Sequence, residues 1–340
     1  MVDERKYVLK KMDSFYNHFT YYKDYSNSNN VDFIINVSDF SPKNEECHIL
    51  DGKYYVKEGY IYCKDNKKLS KWKVEINNLD KSPTIINIST NILGSVSTLS
   101  NFTEFLIHLK MTEKGYPLIH ASGVLIGKRG IVFASRSGGG KTTIATYLME
   151  KGFKYFGDNF LIINNSQIYN FLSPLNLYKY NLTPLIKKHL NFKKKSSISL
   201  KNFISLISGR YIKLSTELNL FNIVPEQIAI DGKLDTLLWV IPKSDFSVNK
   251  ISKKELIDHL IYNQQIEFMH MPFLNYLYAY SYVFPNSKIG NHWKIYEESL
   301  INAIGNDTKI MKIEVPQKYN NSVIDEILKL INNDKNISIN

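Results

Sequence analysis

The chain has 340 residues, a formal net charge of +11 and 44% hydrophobic residues. That is enough apolar material for one large folded unit or two ordinary ones, and it excludes an intrinsically disordered chain. Its two cysteines, Cys47 and Cys63, and the lack of any Cys/His cluster with zinc spacing exclude a disulfide scaffold and a zinc module.

Residues 1–30 are polar, with no apolar run after the charged N-terminus, so they read as a loop and not as a signal peptide. Two ordinary thiols and no apolar run long enough to span a bilayer lead to the expectation of a soluble, cytoplasmic protein with no membrane partner. Between residues 31 and 92, short runs such as Lys53-Tyr54-Tyr55-Val56, Trp72-Lys73-Val74-Glu75-Ile76 and Ile85-Ile86-Asn87-Ile88 are separated by turn residues, which predicts an antiparallel meander. The spacing of Phe102, Phe105, Leu106 and Leu109 then predicts a helix over 100–114, with Gly115 as its cap. Residues 1–114 thus read as a β-rich region to which no function attaches.

The second region, 115–340, opens with a hairpin, 124–126 and 131–133 around the turn 127–130. Ser135, Arg136, Ser137, Gly138, Gly139, Gly140, Lys141, Thr142 and Thr143 follow directly. A helix is expected from about 141 to 151, capped by Gly152, then a strand over 153–156 with Asp158 just past its end. Further strands are expected at 160–163 and 236–241, and helices at 253–262, 273–282 and 322–331. The fold class is therefore mixed α/β (α+β), with a phosphate-loop core, a β-rich N-terminal part and a helical C-terminal part.

The order strand, glycine loop, helix carries a chemical meaning. A triphosphate can be wrapped by backbone N–H groups only where no Cβ intrudes and where the chain can take positive φ, which glycine permits. The start of the following helix adds partial positive charge. Lys141 then reaches the β- and γ-phosphates, and the Thr142 hydroxyl holds magnesium. Ser135 stands where the strict pattern has glycine, a small residue that disfavours positive φ. Asp158 lies 17 residues after Lys141 (158 − 141), close enough for a helix and a short returning strand to bring it back to the loop, as a base on a substrate hydroxyl, a magnesium ligand or merely a turn residue. His120 precedes the hairpin in an apolar setting and reads as a satisfied core group or as a catalytic residue.

Taken together, His120-Ala121-Ser122-Gly123, the loop Ser137-Gly138-Gly139-Gly140-Lys141-Thr142-Thr143 and Gly157-Asp158-Asn159 resemble the HPr kinase/phosphorylase-like family of bacterial P-loop kinases, which is related to phosphoenolpyruvate carboxykinases. Ser173-Pro174-Leu175-Asn176-Leu177 looks like a loosely kept family segment; the clear likeness covers about residues 105–180. The resemblance implies an HPr kinase-like core that binds ATP and magnesium, with Asp158 deprotonating the acceptor hydroxyl and His120 beside it. Two departures stand out. Asn159 occupies the place of a second acid, and the downstream Glu–Arg–Gly signature is absent, which argues against HPr itself as the acceptor. Relatives of this kind occur as small kinases in peptide-modification clusters, which permits a precursor-peptide serine as acceptor.

The lysines at 187, 188, 193, 194, 195 and 201 form the one dense charged cluster, read as a solvated face or as a docking face for an acidic peptide or protein. Arginine is scarce, so nucleic acid is not an expected partner; a homo-oligomer is left open. Two functions remain in competition: an ATP-dependent kinase acting on a hydroxyl of a peptide, protein or small molecule, and a nucleotide-binding regulatory or interaction protein with little or no catalysis, which Ser135 and Asn159 favour.

Overall fold

The short runs between residues 31 and 92 become six strands in the computed structural model: β1 (Phe33–Val37), β2 (His48–Leu50), β3 (Tyr54–Lys57), β4 (Tyr60–Lys67), β5 (Ser70–Asn77) and β6 (Thr84–Thr90). The structure describes residues 31–67, 69–171, 173–207, 214–221, 223–269, 271–316 and 321–332, and the loop expected over 1–30 lies outside them. Among the described residues there are eight α-helices: α1 (Ile92–Glu113), α2 (Lys141–Glu150), α3 (Pro184–His189), α4 (Phe192–Ile207), α5 (Lys253–Phe268), α6 (Pro272–Val283), α7 (His292–Ala303) and α8 (Asn321–Asn332). None of them is long and apolar enough to cross a membrane. The fold is mixed α/β and divides into two units, Met1–Gly115 with Gln265–Ser299, and Tyr116–Gln264 with Leu300–Asn340.

In the first unit the sheet order is β1-β6-β5-β4-β3-β2. The pairs from β2 to β6 are antiparallel, as a meander requires, but β1 runs parallel to β6, with Phe33 opposite Thr84. Strand alternation puts Val56, Ile61, Val74, Ile76, Ile86 and Ile88 on one face, where Phe102 and Phe105 of α1 and Phe273 and Tyr276 of α6 close the core. Helix α1 starts eight residues earlier than its apolar spacing predicts (100 − 92), because the Asn91 side chain accepts from the Gly94 N–H and caps it there. The sequence division at 114/115 has no return crossing, whereas residues 265–299 belong to the first unit; the apolar face of that sheet needs a cover, and α6 supplies it. On the same sheet the buried Glu75 accepts from the Lys43 N–H (2.9 Å), the Tyr60 hydroxyl (3.0 Å) and the Asn87 amide (2.8 Å). Burial pushes this carboxyl up, and the donors outweigh it, leaving it below its ordinary range.

The second unit is built on a nine-stranded sheet. Its strands are β7 (Leu118–Ile119), β8 (Ala121–Ile126), β9 (Arg129–Ala134), β10 (Lys154–Gly157), β11 (Leu161–Asn164), β12 (Gln167–Asn170), β15 (Asp231–Lys243), β16 (Ser247–Lys250) and β17 (Lys309–Pro316); β13 (Leu175–Leu177) and β14 (Thr216–Leu218) form a separate ribbon. The central strand is β15, with β9 parallel to it on one side. Along its other side it pairs antiparallel with β12 at its start and parallel with β17 from Thr236 onward. Its run from Leu234 to Val240 is mostly apolar because both faces are covered. Ile144 and Leu148 of α2 and Ile324 and Ile327 of α8 pack against Phe133, Leu238 and Val240 on one face. Trp239 points to the other, where its ring stacks on His259 of α5 at 5.0 Å.

Helix α7 and strand β17 escaped the sequence reading. Two consecutive residues of α7 lie near α1: His108 and His292 are both buried, with ring centroids 5.2 Å apart, and Trp293 and Tyr296 pack around His108. Neither ring nitrogen of His108 has a hydrogen-bond partner. Burial, joined by repulsion from His292, drives His108 well below its ordinary value, and burial takes His292 down to about 3. Both histidines are therefore neutral in the folded state and charged in the unfolded one below about pH 6.5, so their contribution to stability is lost as pH falls from there. Glu104, one turn before His108, is pushed up to about 7 by burial and contributes in the opposite sense. We expect His108→Leu to flatten the fall in unfolding free energy between pH 6.5 and 4 relative to the parent, measured by urea denaturation at stepped pH. An unchanged slope would mean that His108 is protonated without cost in the folded chain.

Candidate functional site

Strand β8 runs antiparallel to both β9 and β10, so the latter two point the same way. The loop that follows β9 and the turn that follows β10 therefore emerge at one edge of the sheet. Ala121 opens β8 opposite Ala134, the last residue of β9, so His120 sits at that edge too. In sequence these segments are separate; the antiparallel hairpin is what collects them.

The loop after β9 is held from two sides. The Ser135 hydroxyl donates to the Val240 carbonyl of β15 at 2.8 Å, and the Ser135 carbonyl accepts from the Asn263 side-chain amide of α5 at 3.2 Å. Ser135 is absent from the described residues with left-handed φ, so the serine is not strained where glycine is the usual residue. The turn then closes with the Gly139 N–H donating to the Arg136 carbonyl at 2.9 Å. Gly140 holds φ at +92°, and a Cβ on Gly139 would stand 1.7 Å from the Ser135 hydroxyl oxygen. The loop therefore needs glycine at these two positions for different reasons: a left-handed angle at one, close approach at the other. The tip, Arg136, Ser137 and Gly138, is exposed, while Lys141 and Thr143 are buried.

Gly140 is also the N-cap of α2, and it offers no side-chain acceptor to the first turn. An N-terminal turn without a capping side chain, at the positive end of the helix dipole, suits an anion. One residue into the helix, the Thr142 hydroxyl donates to Asp158 Oδ1 at 2.7 Å. Asp158 is 3% exposed, and its backbone carbonyl is anchored by the Ser173 hydroxyl at 2.6 Å. Next to it, Asn159 takes a left-handed φ of +69° and its carbonyl accepts from the Ala121 N–H at 3.2 Å, tying this turn to the start of β8. His120 is buried there, its ring 5.8 Å from that of Phe160. The Tyr155 hydroxyl of β10 is buried with no hydrogen-bond partner, and burial together with the charge of Asp158 drives it well above its ordinary value, so it stays protonated.

The expected residues thus fall into two sets. Residues 135–143 and Asp158 are joined by the Thr142–Asp158 bond. His120 shares their sheet edge, and the backbone bond between Ala121 and Asn159 ties its neighbour in sequence to the turn that carries Asp158. Two residues that position the site, Asn263 and Ser173, were not assigned from sequence. The available signal was that Asn263 and Gln264 fall on the same helix face as Leu256 and Leu260, at helical spacing, since buried amides in such places usually hold backbone. The lysine cluster does not act as one group: Lys201 reaches the Ser215 carbonyl (2.6 Å) and the Thr216 hydroxyl (3.2 Å), while Lys187, Lys188, Lys193 and Lys195 are exposed. Among the described residues no group of three or more His, Cys, Asp or Glu could hold a metal ion by itself. No family model matches the chain, and no curated protein matches it.

If the loop cradles phosphate, millimolar magnesium nucleotide should raise the melting temperature, with about 2.7 kcal/mol of stabilisation at one hundred times Kd. Lys141→Ala should abolish the shift. Gly139→Ala should also abolish it, and adding Ser135→Gly to that variant should restore part, since it removes the two nearest atoms that the new Cβ meets and leaves the Arg136 carbonyl oxygen at 3.0 Å. A parent melt that does not move with nucleotide would sink the assignment of the loop.

Proposed function

We propose that the chain is an ATP- and magnesium-dependent kinase with an HPr kinase-like P-loop core that phosphorylates a hydroxyl, a serine of an acidic peptide or protein being the acceptor best suited to its charge. The observation that carries this reading is the 2.7 Å bond from Thr142 to Asp158, which joins the first turn of a glycine-capped helix to a buried carboxylate. The donor set suits the nucleotide: a glycine loop and Lys141 for phosphate oxygens, and one hydroxyl with one carboxylate for magnesium, an ion that commonly takes its remaining ligands from water and phosphate. Bound magnesium nucleotide would supply the γ-phosphoryl group and an electrophilic phosphorus.

The chain's residues do the rest. Backbone N–H groups of Gly138 and of the first turn of α2, residues 140–142, would hold the phosphates, and Lys141 would draw charge toward the β- and γ-oxygens. The Thr142 hydroxyl gives its hydrogen to Asp158 Oδ1 and keeps its lone pairs for the metal. The acceptor oxygen bonds to the γ-phosphorus as the bond from that phosphorus to the ADP oxygen breaks, and Asp158 takes the acceptor's proton through its second oxygen. Ser173 keeps the Asp158 backbone in place, and His120 supports the turn from the start of β8.

The second reading, a nucleotide-binding regulatory protein with little catalysis, has its own observation. Asn159 replaces the second carboxylate, and its left-handed backbone and its bond to Ala121 are those of a turn residue. Transfer of labelled phosphate from ATP across a panel of hydroxyl acceptors separates the two. Under the kinase reading, Asp158→Asn binds nucleotide nearly as the parent does and transfers about a hundredfold more slowly or worse, while His120→Ala loses less. Transfer by Asp158→Asn at the parent rate would remove Asp158 from the base role.

A further inference from the structure

Helix α4 is inverted with respect to a normal surface helix. At about 100° per residue, Phe192, Leu200, Phe203 and Ile207 fall within about 80° of one another and form a ridge, with Leu206 beside it. That ridge faces solvent: Phe192 is 83% exposed, Ile207 72% and Leu200 60%. The inward side carries Ile198, which is buried in the core, and the polar Lys201, which is tied to Ser215 and Thr216. Lys193 and Lys195 flank the ridge on opposite sides, and both are exposed. Lys187 and Lys188 of α3, which precedes α4 in the chain, are exposed as well. From Asn159 to Thr216 the chain has no Asp or Glu, against eight Lys and one Arg.

We propose that α4 is a membrane-surface anchor, which lays its apolar ridge into the headgroup boundary of an anionic bilayer while the flanking lysines contact lipid phosphate. An interfacial helix has this composition: apolar on one side, lysine at its margins, low in overall hydrophobicity. Sixteen residues span about 24 Å, short of a bilayer crossing, so the helix lies along the surface. The lysine stems follow the ridge and raise their ammonium groups to the headgroups. A docked peptide helix needs a groove between two elements, whereas α4 offers one convex ridge with exposed flanks, which a fluid plane can surround. Parallel pairing of two copies ridge to ridge would bring Lys193 and Lys195 of each toward the same charges on the other, and antiparallel pairing would offer them no opposite charge from this segment, which has no Asp or Glu. The sequence alone gave no membrane partner because the charge reads as a solvated face until the apolar residues are seen outside. This inference does not depend on the nucleotide reading.

The test is co-sedimentation of the full chain with vesicles of phosphatidylcholine containing about one-third phosphatidylglycerol, against phosphatidylcholine alone, at about 0.1 M salt. The parent should bind the anionic vesicles at least tenfold more tightly. Phe203→Ser with Ile207→Ser, and separately Lys193→Gln with Lys195→Gln, should each weaken binding at least tenfold. These side chains are exposed, so the melting temperature should hold. Hydrogen exchange on the parent gives a measure free of any variant: amides of residues 192–207 should gain protection when vesicles are added. No preference for anionic vesicles, parent-like binding by both variants, or unchanged exchange overturns the proposal. So does a lipid-free dimer that the Phe203/Ile207 variant loses, which would give the ridge to a second copy. An acidic peptide that binds the parent and not that variant, with no binding to vesicles, would give it to a protein partner.

Discussion

The bond between Thr142 and Asp158 is the constraint on which the site depends. It joins the first turn of α2 to the turn that follows β10, and it does so with a buried carboxylate. Burying a carboxylate is costly unless it receives hydrogen bonds. The Thr142 hydroxyl supplies one, and the Ser173 hydroxyl holds the adjoining backbone. Helix α2 is thereby fixed at its first turn by the same residue that would take part in chemistry. The rest of the second unit can be read as support for this geometry: β15 holds the loop through Val240, α5 holds it through Asn263, and β8 sets the direction in which both connections emerge.

The glycine loop, the helix after it and the strand leading to Asp158 were legible in the sequence because each is local. Turn chemistry, helix capping and short apolar runs act over a few residues. The meander of β3 to β6 was legible for the same reason. The parallel placement of β1 beside β6 was not, since no local pattern states which strand an edge strand joins. Helix α7 and strand β17 were hidden by mixed composition: His292-Trp293-Lys294 and Lys309-Ile310-Met311-Lys312 owe their order to the partners they pack on. The early start of α1 turned on one Asn side chain.

Ser135 illustrates how a departure from a motif can be physically harmless. Read from the pattern alone it threatens a backbone angle. In the fold its angle is ordinary, and its hydroxyl is spent on Val240, which fixes the start of the loop. The same hydroxyl then dictates glycine at 139. The Ser-Gly pair is therefore a coupled unit, and reading either residue separately misjudges it. Asn159 is the opposite case: no acidic residue adjoins Asp158 in the turn, and the Asn159 backbone serves the junction with Ala121.

The interrupted make-up of the first unit bears on how the chain is made. Its sheet is complete by residue 90, yet α6, which covers the apolar face, is not translated until residues 272–283. A ribosome must therefore release the entire glycine loop and the central strand of the second unit before the first can close. The second unit in turn waits for β17 and α8, beyond residue 308. The first unit can therefore close only once residues 265–299 are out, and the second only after it, so both expose apolar surface for most of synthesis, a stage at which chaperone binding would count for more than in a chain of two consecutive domains.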